Sequence, residues 1–311
     1  MFLCRWICRS CLTAMLILAV FSSILSAQSP YGPSPQQGYF RAWQMPPGAN
    51  VPLRPTYRLA ERSDPPSAAS STQQLQPGDP KEHPLMPVVR WGRAGLVNME
   101  RIADYSAVVA KRERIDGKVG EYEYMYTKIR HKPFSVYLNF VPPSASKGQE
   151  VIYIDGANDG KLWVHSTGIT NAMIGTVSLK PDSMMAMRNQ RYPITMLGIQ
   201  NLTRRLVEVT DREAKLAECE VKYYRGAKVN DRVTTMIEIV HPVPRREFMS
   251  HLARIFVDDE LNAPIRYEAY DWPRDGAPPE LIEEYTYLNV KLNNGFTDAE
   301  FDIRNPNYHF H

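Results

Sequence analysis

Cysteine is scarce beyond the N-terminal segment of this chain. Of its four cysteines, Cys4, Cys8 and Cys11 lie close to the N-terminus and only Cys219 follows them. A single cysteine forms no intrachain disulfide, so a hydrophobic core must stabilise the fold. We interpret Cys219 as a small apolar residue buried in a strand, and a catalytic thiol is the alternative.

The chain also lacks an excess of charge of either sign. Lys and Arg total 37, Asp and Glu total 34, and the formal net charge is +3. Because Arg5 and Arg9 are the only charged residues among the first 27, the remainder carries 35 basic against 34 acidic residues. Such a balance gives no electrostatic case for a nucleic-acid partner or an anionic membrane surface.

Short motifs of catalytic and cofactor sites are missing as well. The sequence contains no Gly-x-Ser-x-Gly elbow, no Walker loop, no Gly-x-Gly-x-x-Gly fingerprint, no zinc-type pair of His at i and i+4, and no Cys-x-x-Cys after residue 27. Residues 155–160 depart from a calcium loop and favour a hairpin turn. We interpret Glu121 and Glu123 as a solvated strand face. We therefore expect no metal, no cofactor and no enzymatic activity.

The N-terminus has the layout of a cleavable signal peptide. Arg5 and Arg9 precede an apolar run at residues 12–25, and small residues around Ala27 offer a cleavage site. The run is shorter than the roughly 20 residues that span a bilayer, which favours cleavage over a retained anchor. We expect residues 1–27 to be a signal peptide, the protein to be exported to the periplasm or cell envelope, and no transmembrane segment to remain after cleavage.

A proline-rich stretch follows at residues 28–87. It holds 13 of the 25 prolines together with many Gln, Ser and Gly residues. Such a composition buries too little apolar surface to offset the entropy lost on ordering. We therefore predict a disordered linker at residues 28–87 and a single β-rich domain at residues 88–311.

Alternating hydrophobicity predicts a large antiparallel sheet in this domain. Three tyrosines at 122, 124 and 126 share one strand face, and Asp116-Gly117 joins this run to the preceding one as a hairpin. Further strands are predicted at 134–140, 150–154, 161–165, 172–179, 219–224, 233–240, 252–257, 265–270 and 282–292.

Two stretches show helical spacing instead. Apolar residues at 96, 97, 99, 102 and 103 predict a helix over residues 90–104, and Thr195 is expected to cap a second helix whose apolar residues recur from Ile199 to Val209. An open sheet of around ten strands tends to curl. The fold class is therefore α+β: a large curved antiparallel sheet, or half-barrel, with covering helices.

Several stretches resemble a known bacterial family. They are residues 130–137, 148–156, 191–195, 261–271, 285–293 and 301–308, and they include Arg-His-Lys-Pro-Phe-Ser-Val-Tyr at 130–137. Together they resemble the domain of unknown function 1571, for which no activity is established. The layout is distantly similar to the outer-membrane lipoprotein-sorting (LolA-type) fold. That resemblance implies a half-barrel with a helical lid that carries acyl chains or lipoproteins across the periplasm.

The curled sheet and the resemblance together predict a non-enzymatic binding or carrier protein for a lipid or lipoprotein acyl group. The expected ligand-binding residues are apolar and alternate along strands. The alternative is that these residues only pack in the core, because core and cavity positions share the same pattern. They are Val136, Leu138, Phe140, Ile237, Ile239 and Leu288. The alternative function is a structural or interaction protein of the cell envelope that binds a protein or glycan partner.

Overall fold

The computed structural model describes residues 55–58, 81–166, 175–216 and 218–310. Its described part contains two α-helices, α1 (Met86–Met99) and α2 (Ile199–Glu213). Short 3₁₀ helices span Asn158–Gly160, Ile194–Met196 and Asp298–Phe301. The strands are β1 (Tyr57–Arg58), β2 (Asp104–Ile115), β3 (Lys118–Val119), β4 (Glu123–Arg130), β5 (Ser135–Val141), β6 (Glu150–Ile154), β7 (Leu162–Ser166), β8 (Gly175–Leu179), β9 (Glu220–Val229), β10 (Arg232–Val240), β11 (Leu252–Asp258), β12 (Ala263–Tyr270) and β13 (Leu281–Leu292).

The predicted linker is partly ordered, and its boundary at residue 88 is corrected. Tyr57 and Arg58 form β1 and pair with β9. Helix α1 begins at Met86, and Leu85 is fully buried against Val88 and Trp91. These apolar side chains give residues before 88 a place in the core. The signal peptide predicted at residues 1–27 and the rest of the linker lie outside the described residues.

All thirteen strands of the described part form one antiparallel sheet. Its order is β1-β9-β10-β11-β12-β13-β2-β4-β5-β6-β7-β8, with β3 paired to β2 outside this path. Two meanders, β4 to β8 and β9 to β13, therefore meet at the long central strand β2. The β2–β3 turn has positive φ at both Asp116 (49°) and Gly117 (77°), as a tight hairpin turn requires. The predicted antiparallel α+β class and the Asp-Gly hairpin are confirmed.

The sheet is strongly curved. Leu179 of β8 and Tyr267 of β12 line the same cavity although seven strand spacings separate their strands. In a flat sheet that separation would be about 34 Å. Register shifts in the pairings β9–β10, β11–β12, β12–β13 and β13–β2 supply local bends, since a bulge increases twist and bends its strand.

Both helices lie on the concave side and are packed against each other. Helix α2 begins later than expected, because Gly198 (φ 111°) is its N-cap and Thr195 belongs to the preceding 3₁₀ helix. The expectation that Thr195 caps the helix is therefore wrong. In the described part of the chain, neither helix combines the length and apolarity needed to cross a membrane.

The convex side has its own buried layer. Val108, Tyr124 and Leu288 belong to one apolar cluster there. The C-terminal segment crosses the outer face of β5 and β6, where the Tyr308 ring stacks on Tyr137 at a centroid distance of 4.1 Å. Because both faces of the central strands are covered, those strands are buried almost along their whole length.

Candidate functional site

A cavity of about 420 Å³ lies on the concave side, between the sheet and a cover made by α2 and residues 181–197. This volume falls in the range of about 300–1,000 Å³ that is typical of small-molecule sites. Its apolar lining comes from β4, β5, β6, β7, β8, α2 and residues 181–197. The apolar lining includes Met125, Leu138, Phe140, Val151, Leu162, Val164, Leu179, Ile194, Leu197, Leu202, Leu206 and Val209.

The cover is anchored to the sheet at the start of α2. The backbone N–H of Gly198 donates to the Tyr287 hydroxyl (3.2 Å), and that of Ile199 donates to the Tyr105 hydroxyl (2.8 Å). These tyrosines satisfy amides that have no partner inside the helix. The Asn201 amide also donates to the carbonyls of Thr195 and Leu197. Residues 194–201 are thereby fixed over the floor of the cavity.

The cavity opens beside three methionines. Met185, Met196 and Met249 line it and are 53%, 39% and 38% exposed. Met249 also contacts the Arg205 guanidinium through its sulfur, at 3.9 Å. Methionine side chains are flexible and apolar, so they accommodate varied apolar surfaces. The opening is thus an adaptable apolar rim, and no described part of the chain covers these three side chains completely.

The floor changes from apolar to charged along the strand direction. Neighbouring strands align their inward side chains in rows, and successive rows are about 7 Å apart. The first row is apolar and consists of Val109, Met125 and Tyr287. The second row consists of Lys111, Glu123 and Tyr285, and the third of Glu113 and Glu283. The last two rows form what we call the polar end of the cavity.

Lys111 is the centre of the polar end. Its ammonium lies 3.1 Å from Glu113 and 3.0 Å from Glu123, and it donates to the Gln190 side chain at 2.5 Å. The Tyr285 hydroxyl also donates to Glu113. Lys111 and Glu113 are both buried, and burial raises the pKa of Tyr285, with the neighbouring carboxylates adding to the effect. A buried charge requires such partners to offset its lost hydration.

A second ion pair closes the same end from the cover. Arg191 Nε donates to Glu283 at 2.8 Å, and the Tyr192 hydroxyl donates to the other oxygen of this carboxylate at 3.2 Å. Burial raises the pKa of Glu283, while Arg191 opposes that shift. Burial and the nearby Glu283 together raise the pKa of Tyr192 to about 12. Residues 190–192 therefore join the cover to the floor through hydrogen bonds.

The expected ligand-binding residues are distributed over four places. Leu138 and Phe140 line the cavity. Val136 lies on the same face of β5 and packs into the adjoining core cluster. Ile237 and Ile239 lie under α1 and α2 in a filled cluster with Trp91, so their assignment to the cavity is corrected.

Leu288 requires a different correction, because it lies on the convex face. A register shift between Leu288 and Lys291 and a positive φ at Asn289 (54°) mark a bulge in β13. Val290 and Leu292 contact the concave core, so the bulge separates them from Leu288. The uniform alternation Leu288–Val290–Leu292 hides this change of face.

Sequence reasoning missed the polar end. The expectation that Glu123 lies on a solvated face is wrong, because Glu123 faces Lys111 inside the cavity. The signal that could have found it is the alternation along β2. Tyr105, Ala107 and Val109 all belong to the concave core, and Lys111 and Glu113 continue the same every-second-residue series. Charged residues that follow an inward apolar series in step point into the same space.

Two expectations about chemistry can be compared with the structure. Cys219 directly precedes β9, is partly buried and packs against the cluster under α1 and α2, outside the cavity lining. Burial raises the pKa of Cys219 to about 11, so its thiol remains protonated at neutral pH and is a poor nucleophile. In the described part of the chain, no group of three or more His, Cys, Asp and Glu side chains is arranged to hold a metal ion. The described charged groups at the polar end are paired with one another.

The fold and the cavity define an α+β protein with an open, curved antiparallel sheet and a covered concave side. A family model described as "Protein of unknown function (DUF1571)" matches residues 102–310, and the chain belongs to this family. The membership that the sequence motifs indicated is confirmed. No curated protein matches the chain.

Solved structures similar to the chain are remote in sequence. A DUF1329 family protein from Desulfovibrio piger is 15% identical, with 69% of this chain and 97% of that chain covered and a TM-score of 0.34. An outer membrane lipoprotein-sorting protein domain from Vibrio parahaemolyticus is 10% identical (69% and 95% covered, TM-score 0.32). The lipoprotein LppX from Mycobacterium tuberculosis is 12% identical (70% and 100% covered, TM-score 0.38).

Proposed function

We propose that the chain is an exported, non-enzymatic carrier that holds an acyl or alkyl chain of a lipid or lipoprotein in the concave cavity. The observation that carries this proposal is a cavity of about 420 Å³ whose floor and cover are mainly aliphatic and aromatic side chains. Each CH₂ group transferred into such a site contributes about 0.8 kcal/mol. A linear chain therefore gains most where the lining is apolar along its whole length.

The opening supports a carrier role. Met185, Met196 and Met249 surround it and remain partly exposed. An acyl chain that enters here meets the three apolar side chains of the rim. The same exposed methionines provide a contact surface for an envelope protein that delivers or receives the cargo.

Hydrolysis would require convergent polar residues, and the polar end does bring such residues together. Glu113 accepts hydrogen bonds from Tyr285 and Lys111, and Glu283 accepts from Arg191 and Tyr192. A general base needs an acceptor directed at substrate. Each carboxylate has lone pairs beyond those that its neighbours use, so the polar end can still accept hydrogen bonds from a ligand. We assign the polar end to binding and keep the non-enzymatic proposal.

Calorimetric titration with glycerol monolaurate tests the proposal. The wild-type chain, expressed for export and purified, is expected to bind one ligand per chain. Leu138→Trp fills the cavity and is expected to weaken binding at least tenfold. Val233→Trp adds the same side chain at a position 47% exposed on β10 and is expected to leave the affinity unchanged. Equal binding of glycerol monolaurate by Leu138→Trp with an intact fold by circular dichroism, or failure of the wild type to bind any amphiphile with a C12 chain, would refute the carrier proposal.

A further inference from the structure

The polar end contains the buried ammonium group of Lys111, and all of the donors of this group have partners within the protein. Lys111 has three N–H donors. They are directed to three acceptors within the protein: Glu113 at 3.1 Å, Glu123 at 3.0 Å and Gln190 at 2.5 Å. An anionic group that entered this end would therefore compete with carboxylates for a donor that is already engaged.

The charges around Lys111 also oppose an anion. Glu113, Glu123 and Glu283 contribute three carboxylates, while Lys111 and Arg191 contribute two cations. Arg191 is committed as well, through Nε to Glu283 and through Nη1 to the carbonyl of Arg114 at 3.2 Å. Like charges brought together in a site of low polarity cost several kcal/mol. The polar end is therefore rich in acceptors and is matched to a donor.

Two other arginines line the cavity, and they lie near its opening. Arg188 is exposed, and Arg205 is half-buried with its guanidinium against the sulfur of Met249. Side chains that keep part or all of their solvent contact, as these two arginines do, interact weakly with an anion compared with a desolvated pair. They define the rival arrangement, in which an anionic head stays at the opening and only the chain is inside.

We propose that the cargo has a polar head without negative charge, such as a hydroxyl, amide or amine, and that this head donates hydrogen bonds to the polar end formed by Lys111, Glu113, Glu123 and Glu283. The inference rests on the proposed function, since it names the class of amphiphile that the same cavity takes. The chain of the amphiphile then lies over the apolar rows, from Met125 and Tyr287 towards Leu138 and Leu162.

Three ligands with the same alkyl chain test the inference: glycerol monolaurate, dodecylammonium and laurate. Titrations at pH 8, below the critical micelle concentration of each ligand, are expected to give laurate at least tenfold weaker binding than the other two. A laurate affinity within tenfold of that of glycerol monolaurate would overturn the inference while leaving the carrier function in place. If none of the three binds, the carrier function fails and this inference fails with it.

A pair of variants separates the polar end from general charge effects. Glu123→Gln removes one carboxylate beside Lys111 and keeps an acceptor, so the discrimination against laurate is expected to shrink at least threefold. Glu208→Gln removes an exposed carboxylate from α2 and is expected to leave the discrimination unchanged. An equal response of the two variants, or none in Glu123→Gln, would contradict the placement of the head. A diacylglyceryl-cysteine peptide, titrated beside glycerol monolaurate, then distinguishes a lipoprotein from a free lipid as the source of the neutral head.

Discussion

At the scale of single residues, buried charge on the convex face is concentrated at Arg266. Its guanidinium lies 2.7 Å from Glu268 and 2.6 Å from Glu284, donates to Thr286, and faces the Tyr57 ring at 4.6 Å. Each partner satisfies part of a group that has almost no contact with solvent. The loss of one member of such a network leaves the others without compensation.

Arg266→Met is therefore expected to lower the free energy of unfolding by about 3–5 kcal/mol in urea titrations, because Glu284 then remains buried without its cation. The double variant Arg266→Met with Glu284→Gln is expected to recover part of this loss. Arg304→Met breaks an ion pair whose arginine side chain is 86% exposed, and is expected to leave the free energy of unfolding almost unchanged. Equal effects of the two single variants would show that burial of Arg266 is not what matters.

Glu213 gives a pH dependence with a definite sign. Burial raises its pKa from 4.5 to about 7, and the Met249 amide and two arginines only partly oppose this shift. Between about pH 4.5 and 7, the native state holds a proton on Glu213 that the unfolded state has released. The free energy of unfolding therefore falls as the pH rises from about 4.5 to 7, and Glu213 causes no further change above pH 7. The stabilisation is fully present below the unfolded pKa.

Relative to Glu213→Gln, the wild type is expected to lose on the order of 3 kcal/mol of stability across this interval. Comparison of the two proteins by urea unfolding at several pH values removes the contributions of groups that do not contact Glu213. His241 does contact it, because its Nε2 lies 3.6 Å from a carboxylate oxygen of Glu213, and burial lowers the pKa of His241. A difference between the two proteins that stays constant with pH would contradict the assignment.

At the scale of elements, the two helices approach closely at a glycine of α1. A Cβ added at Gly92 would overlap Cγ2 of Val207 on α2, whereas one added at Gly95 would lie 3.9 Å from the nearest atom, the carbonyl oxygen of Asn262. Close helix contact therefore depends on the first glycine and not on the second.

Gly92→Ala is expected to destabilise the protein by about 1–3 kcal/mol, because the helices must separate or Val207 must move. Gly95→Ala has room for the methyl group and should stabilise the chain by roughly 0.5–1 kcal/mol through helix propensity. Urea unfolding measures both, and Val207→Ala should restore stability to Gly92→Ala. Destabilisation by both alanines to the same extent would mean that the glycines act through something other than this contact.

The elements themselves were largely predictable from sequence, because alternation and turn residues are local. Asp116-Gly117 has the conformation that its residue types favour, and the run from Ile199 to Val209 is a helix. The start of α2 was not predictable from Thr195, because the helix begins where Tyr105 and Tyr287 can bind its first amides. Those partners lie 94 and 89 residues away in the chain.

The residues of the site were less predictable from sequence. Alternation with a period of two shows which residues share a face of the sheet, but it does not show which element covers that face. Ile237 and Leu138 have the same pattern, but α1 packs over the first and leaves space above the second. A bulge at Asn289 reverses the face of Leu288 relative to Val290. The position of the covering helices and the position of the bulge both depend on contacts between segments that are distant in sequence. The alternation of apolar and polar residues along a strand does not predict such contacts.

At the scale of the whole molecule, one concave face has two unequal halves. Over β9 to β12, α1 and α2 fill the space with Leu85, Trp91 and Leu206. Over β4 to β8 the described residues that form the cover are those of α2 and residues 181–197, and a cavity remains. The curved sheet thus combines a solid half, which holds the helices, with a hollow half that opens beside methionines.

The central claim is that an alkyl chain lies in the hollow half, and anomalous scattering from a brominated chain measures this directly. Crystals grown with 12-bromododecanol are expected to show the bromine and the chain in contact with Leu138, Phe140 and Leu162, with the hydroxyl towards Lys111. A chain located on the convex face or against Ile237 and Ile239, or a cavity that stays empty at saturating ligand, would contradict the account.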